Sequence, residues 1–123
     1  MEISKTELEV MQAIWQEAPV DAETIIQRLN QQKEWHAKTV KTLLNRLVKK
    51  HALDFEKVGR LYHYFPLVSK EDYQEREAQS FVYRLFQGRI SPLVAGFAKH
   101  ENLSAEDISA LKKLIADWES KDD

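Results

Sequence analysis

The spacing of apolar residues changes at Leu53, and this one change limits the possible folds more than any other feature of the chain. Before it the spacing is helical. Ser4, with Glu7 three residues on, forms a capping-box pattern. Leu8, Met11 and Trp15 then recur at i, i+3 and i+7 and predict a helix to about Gln16. Ala18-Pro19 breaks it. Asp21 is the next N-cap candidate, with Val20 placed to pack on Ile25 or Ile26. Ala22, Ile25, Ile26 and Leu29 make a second stripe, which fades into Asn30-Gln31-Gln32-Lys33. A third helix is predicted from about Ala37 to His51, without Gly or Pro inside it. From Leu53 the period shortens toward two: Leu53 and Phe55 face one way, Asp54, Glu56 and Val58 the other. Gly59-Arg60 suits a tight turn, and Leu61-Tyr62-His63-Tyr64-Phe65 is rich in β-forming aromatics before Pro66 ends it. A β-hairpin is predicted.

Helical spacing then returns. Ser69 with Asp72 opens a long helix with Ala78, Phe81, Val82, Leu85 and Phe86 on its inner face, and Gly88 ends it. Ser91-Pro92 starts a short helix, Pro in its first position, carrying Leu93, Val94 and Phe97. Ser104 with Asp107 caps a last helix lined by Ile108, Leu111, Ile115 and Trp118. The expected fold is mainly α with a small β-hairpin. Three helices followed by a two-stranded wing is the order of a winged helix-turn-helix domain, here residues 1–68. Residues 69–123 are then a helical arm. Burying a large apolar side chain is worth roughly 1.5–3 kcal/mol, and a segment this short cannot cover all of its own. A second copy is expected to cover Leu85, Phe86, Leu93, Val94, Phe97, Ile108, Leu111, Ile115 and Trp118, making the chain a homodimer.

The formal net charge of −2 taken alone disfavours nucleic acid, but the charge is unevenly spread. Residues 1–35 carry −4 and residues 69–123 carry −3. Residues 36–68 carry +5, with Lys38, Lys41, Arg46, Lys49, Lys50, Lys57 and Arg60 against Asp54 and Glu56. Such a basic block is what phosphate neutralisation requires. At about 100° per residue, Val40, Leu43, Leu44 and Leu47 share one narrow sector of the third helix. Opposite them stand Lys38, Thr42, Asn45 and Lys49, flanked by Lys41 and Arg46, and no acid lies on that outer face. A merely solvated helix usually mixes signs to gain Glu–Lys pairs. Thr39 and Thr42 suit a phosphate or a thymine methyl, Asn45 suits adenine, and Arg46 suits guanine or phosphate. The expected DNA contacts are Lys38, Thr39, Lys41, Thr42, Asn45 and Arg46, with Lys57 and Arg60 reaching from the wing. Tyr62 and Tyr64 are read as strand packing. The rival reading is a winged-helix interaction module whose basic face docks an acidic protein instead of DNA.

Other chemistries find little footing. With no Cys there is no disulfide, thiolate metal site or Cys nucleophile. His36, His51, His63 and His100 show no metal-ligand spacing, so no metal is expected. The acids at Glu71-Asp72 and Glu106-Asp107 fall in first helical turns, where the helix dipole favours them. Three scattered Gly cannot form a phosphate loop. Neither an enzyme nor a cofactor is expected. The chain lacks a signal-peptide layout and any apolar run near the ~20 residues of a membrane span, so a cytoplasmic protein without membrane insertion is expected.

Ile3 to Trp15 resembles the opening helix of the penicillinase repressor family, which includes β-lactamase, methicillin-resistance and copper-transport repressors. Lys38-Thr39-Val40-Lys41-Thr42-Leu43-Leu44-Asn45-Arg46-Leu47-Val48-Lys49-Lys50 resembles its recognition helix, and Ser91-Pro92-Leu93-Val94-Ala95-Gly96-Phe97 its C-terminal stretch. The resemblance implies a homodimeric repressor on a palindromic operator with TACA and TGTA halves. It places DNA contacts at Thr39, Lys41, Thr42, Asn45, Arg46 and Arg60. In the β-lactamase branch a membrane sensor-protease controls cleavage at an Asn-Phe bond, where this chain has Gly96-Phe97. The copper branch uses a Cys-rich tail, where this chain has Glu119-Ser120-Lys121-Asp122-Asp123.

Overall fold

A computed structural model describes residues 2–121; the final Asp122 and Asp123 of the Cys-free tail lie outside it. The elements run α1 (Lys5–Gln16), β1 (Val20–Asp21), α2 (Ala22–Leu29), α3 (Ala37–Lys49), β2 (Leu53–Val58), β3 (Leu61–Pro66), α4 (Lys70–Phe86), α5 (Ser91–Lys99) and α6 (Ala105–Lys121). They divide into one compact unit ending at Glu75 and a second from Arg76.

In the first unit, the Glu7 amide donates to Ser4 Oγ at 3.2 Å and the Ser4 amide to Glu7 Oε1 at 2.8 Å, completing the predicted capping box. The buried stripe of α1 differs from the predicted one. Val10, Met11 and Ile14 are fully covered, while Leu8 and Trp15 flank them half-buried. Trp15 Nε1 donates to the Val68 carbonyl at 3.0 Å, and its ring lies 5.8 Å from that of Tyr73. The first turns of α4 thereby join the core of the first unit. Arg28 of α2 donates to the carbonyls of Ala13 and Glu17, at 2.8 and 2.9 Å. Those are carbonyls the end of α1 leaves without a helical partner, so the bonds fix α2 against α1.

Between α2 and α3 the polar run is not idle. Asn30 donates from Nδ2 to the Ile26 carbonyl at 2.7 Å and accepts the Trp35 amide on Oδ1 at 3.0 Å. That clamps both ends of the turn leading into α3. The third helix was expected to reach His51 but stops at Lys49, because His51 takes a left-handed φ of 63°. The Ala52 amide then donates to the Leu47 carbonyl and the His51 amide to that of Val48, each at 3.0 Å, closing a Schellman motif.

The wing holds three strands, not two. β1 joins the hairpin in the order β1-β3-β2, with Val20 opposite Tyr64 and Asp21 opposite His63. Val20 is thus a buried sheet residue, in the same core cluster as Ile25. Asp21 sits at the N-cap position of α2, yet its side chain caps no amide and accepts from the Thr24 hydroxyl. Gly59 has a φ of 65° at the first turn position between Val58 and Leu61, where a tight hairpin favours Gly. In the second unit, Ser104 Oγ accepts the Asp107 amide at 3.0 Å, as predicted. Pro92 occupies the second helical position of α5 rather than the first.

Glu7 carries an ion pair that the sequence did not reveal. Its side chain is only 2% exposed, and Lys50 Nζ donates to its Oε1 at 2.6 Å. Burial pushes the carboxyl pKa up, but Lys50 and the Ser4 donors outweigh it and hold the group below its ordinary value of 4.5. A carboxyl lowered by folding adds stability above that ordinary value, and the contribution is lost as pH falls through the folded value. Lys50→Met is expected to lower stability at pH 7 by about 1–2 kcal/mol, a figure kept modest because Lys50 is partly in water. The difference from wild type should shrink as Glu7 protonates. Urea unfolding across pH 3–7 measures it, and a difference independent of pH would assign the loss to packing instead.

Candidate nucleic-acid interface

Helix α3 is pinned from within. Val40, Leu44 and Leu47 are fully buried and Leu43 nearly so, which leaves one face of the helix free to point outward. All eight predicted contact residues, Lys38, Thr39, Lys41, Thr42, Asn45, Arg46, Lys57 and Arg60, are exposed. No acidic residue lies within α3.

Two clefts divide these side chains. Lys38, Thr39, Thr42 and Arg46 line one together with His36 and Ala37, at the N-terminal side of α3. Lys41 and Asn45 line the other together with Arg60, Leu61, Tyr62 and Tyr64 of the hairpin and Asp21, Glu23 and Ile26 of the β1–α2 segment. The fold thus brings the wing tip to α3, joining Arg60 to residues fifteen or more positions away. Lys57 lines neither cleft; its ammonium lies 5.8 Å from the centre of the Tyr62 ring.

One predicted role narrows. The Thr42 hydroxyl donates to the Lys38 carbonyl at 3.0 Å, one helical turn back. Its hydrogen is engaged, which leaves an accepting oxygen and a methyl group for a ligand. The wing tyrosines do pack, as expected: Phe55 meets Tyr62 edge-on at 5.0 Å and Tyr64 at 5.9 Å. Yet both also line the groove, a position that the alternation of strand residues could not show. Burial, and then Tyr62, push the Tyr64 phenol above its ordinary pKa of 10.0, so it remains a neutral donor at physiological pH.

The nine residues expected at a dimer contact all lie in the second unit, and none is buried within the chain. Trp118 is 66% exposed, Ile115 56% and Leu85 54%; Phe86, Leu93, Val94 and Leu111 are half-covered. Tyr83, Ile90 and Leu114, which the stripes did not single out, are also exposed. Gly96 and Phe97 lie inside α5. Among the described residues no group of His, Cys, Asp and Glu is placed to hold a metal ion, and no helix is long and apolar enough to cross a membrane.

Comparison with known proteins agrees with this arrangement. The penicillinase repressor family model matches residues 3–117. The penicillinase repressor of Bacillus licheniformis is 34% identical over 98% of this chain and 94% of its own length. The methicillin resistance regulatory protein MecI of Staphylococcus aureus (strain N315) is 34% identical over 93% of each. The solution structure of the DNA-binding domain of the repressor BlaI covers 58% of this chain and 88% of its own, with 40% identity and a TM-score of 0.54. That of the monomeric form of Bacillus licheniformis BlaI with the blaP half-operator covers 59% and 89%, again with 40% identity, at a TM-score of 0.52. The capped first helix, the basic third helix and a match across nearly the whole chain agree: the chain belongs to the penicillinase repressor family.

Proposed function

We propose that this chain is a transcriptional repressor that binds operator DNA as a homodimer. One observation carries the reading: the exposed face of α3 is acid-free, lined by cations and short polar side chains, and held by four leucine and valine anchors on its other side. Residues 1–68 form the DNA-binding domain and residues 69–123 the dimerisation domain. Lys38, Lys41, Lys57 and Arg60 meet phosphates; Thr39, Thr42, Asn45 and Arg46 face base edges or the backbone beside them. Two copies present two such helices related by a two-fold axis, so the operator is palindromic. The relative solved with a half-operator while monomeric supports this division of labour between copies. Repression needs only that the bound dimer block the promoter, so the chain acts in the cytoplasm without catalysis, metal or cofactor.

Arg46→Ala is expected to weaken operator binding by about 1–3 kcal/mol, the value of a good bidentate base contact. Gel-shift titrations on the operator and on a scrambled duplex measure it. Equal loss on both duplexes would make Arg46 a phosphate contact, and no loss would remove it from the interface. Trp118→Ala is expected to move the chain toward monomer in analytical ultracentrifugation, with weaker operator binding as a consequence. A variant dimer of full strength would place Trp118 outside the contact.

A further inference from the structure

His36 has no metal-ligand spacing, but the fold gives it neighbours of another kind. It lines the cleft at the N-terminal side of α3 with Lys38, Thr39, Thr42 and Arg46, four of the eight residues expected to meet DNA. Its backbone is held on both sides. The Val40 amide donates to the His36 carbonyl at 3.1 Å, and the preceding Trp35 amide donates to Asn30 Oδ1 at 3.0 Å. Its side chain is exposed and, although at the N-cap position of α3, caps no amide. The lining also sets the sign of the ligand. Lys38 and Arg46 are the other ionisable groups of this cleft, and no carboxylate lines it. Acids of the neighbouring elements are placed elsewhere. Asp21 and Glu23 of the β1–α2 segment line the other cleft, and Glu9 of α1 pairs with Lys33, whose ammonium lies over the Trp35 ring. Glu34, two residues before His36, lines neither cleft.

We propose that His36 is a further operator contact, meeting a phosphate beside Lys38, and that its protonation makes operator binding depend on pH. The inference rests on the DNA-binding reading above and adds to it a contact whose strength the pH sets. Imidazole changes charge between pH 5 and 8. A neutral ring donates one N–H to a phosphate oxygen, whereas a protonated ring donates from a cation, and the charge-assisted bond is about twice as strong. A phosphate beside an imidazole favours its charged form, so binding takes up protons. The sign follows: affinity rises as pH falls toward 6, and the gain is lost as pH rises and the bound ring gives up its proton. The gain is roughly threefold for each ring, about tenfold for the two rings of a dimer.

Fluorescence anisotropy with a labelled operator at fixed salt, from pH 8 to pH 6, reads the effect. Wild-type affinity should rise about tenfold, and His36→Gln should flatten the rise with an unchanged circular dichroism spectrum. His36→Lys, charged throughout, should bind at pH 8 about as tightly as wild type does at pH 6, again without a pH response. Because the contact is to phosphate, His36→Gln at pH 6 should lose equally on the operator and on a scrambled duplex. A rise that survives His36→Gln would place its source at another group and overturn the proposal. A wild-type affinity that ignores pH would overturn it too, and both results leave the DNA-binding reading standing. A loss confined to the operator would make His36 a base contact and overturn the phosphate assignment. A wild-type chain that binds neither duplex at either pH would remove the DNA-binding reading and this proposal with it.

Discussion

Between 50 and 200 mM salt, operator affinity is expected to fall about 1,000-fold or more. The reason is the placement of charge. Lys38 and Lys41 are exposed on α3, and Lys57 and Arg60 on the wing. Even three of these four cations per copy give a dimer six phosphate contacts, and each releases counterions from the duplex. The logarithm of affinity then falls with the logarithm of salt at a slope of about −5. The net charge of −2 alone would suggest a far flatter dependence. Fluorescence anisotropy with a labelled operator across this range gives the slope. A slope near zero would mean that the basic face meets no phosphate. Steep salt dependence toward an acidic protein, with none toward DNA, would favour a protein-docking module instead.

The second large effect lies on the hidden side of the same helix. Leu44→Ala is expected to cost about 2–5 kcal/mol of stability, because Leu44 is fully buried and its removal leaves a cavity. Domains of this size are commonly stable by only 5–15 kcal/mol, so the urea midpoint should drop strongly. Operator binding should fail at temperatures where wild type still binds. Asn45→Ala, at the adjacent exposed position, should leave stability within about 0.5 kcal/mol and weaken binding alone. Urea unfolding and gel shifts on the two variants separate the roles. If Asn45→Ala destabilises as much as Leu44→Ala, the division of α3 into a buried and a reading face is wrong.

That division was legible in advance because burial on a helix repeats with the backbone's own geometry. Val40, Leu43, Leu44 and Leu47 share a sector whatever the rest of the chain does, and so do the cations opposite. Caps are equally local: the Ser4–Glu7 and Ser104–Asp107 pairs span three residues each. Features depending on the path of the chain were not legible. Lys50 reaches Glu7 from 43 positions away, and nothing in either segment marks the pair. β1 has two residues, too few for a period, and exists because Val20 and Asp21 fall beside β3. The α1 stripe was drawn through Leu8 and Trp15, whereas the core took Val10 and Ile14, because several apolar registers fit one short helix and its partners select among them.

What the sequence determined by itself is every element but β1, the Ser4–Glu7 and Ser104–Asp107 caps, and the chemistry of the outward face of α3. Those follow from interactions within a few residues, which the order of amino acids specifies directly. What only the tertiary structure decided is which groups share a site. It set Arg60 and Tyr62 in one groove with Lys41 and Asn45, and it engaged the Thr42 hydrogen. Such juxtapositions depend on how core packing folds the hairpin and helices back on one another, a collective outcome that no local spacing encodes.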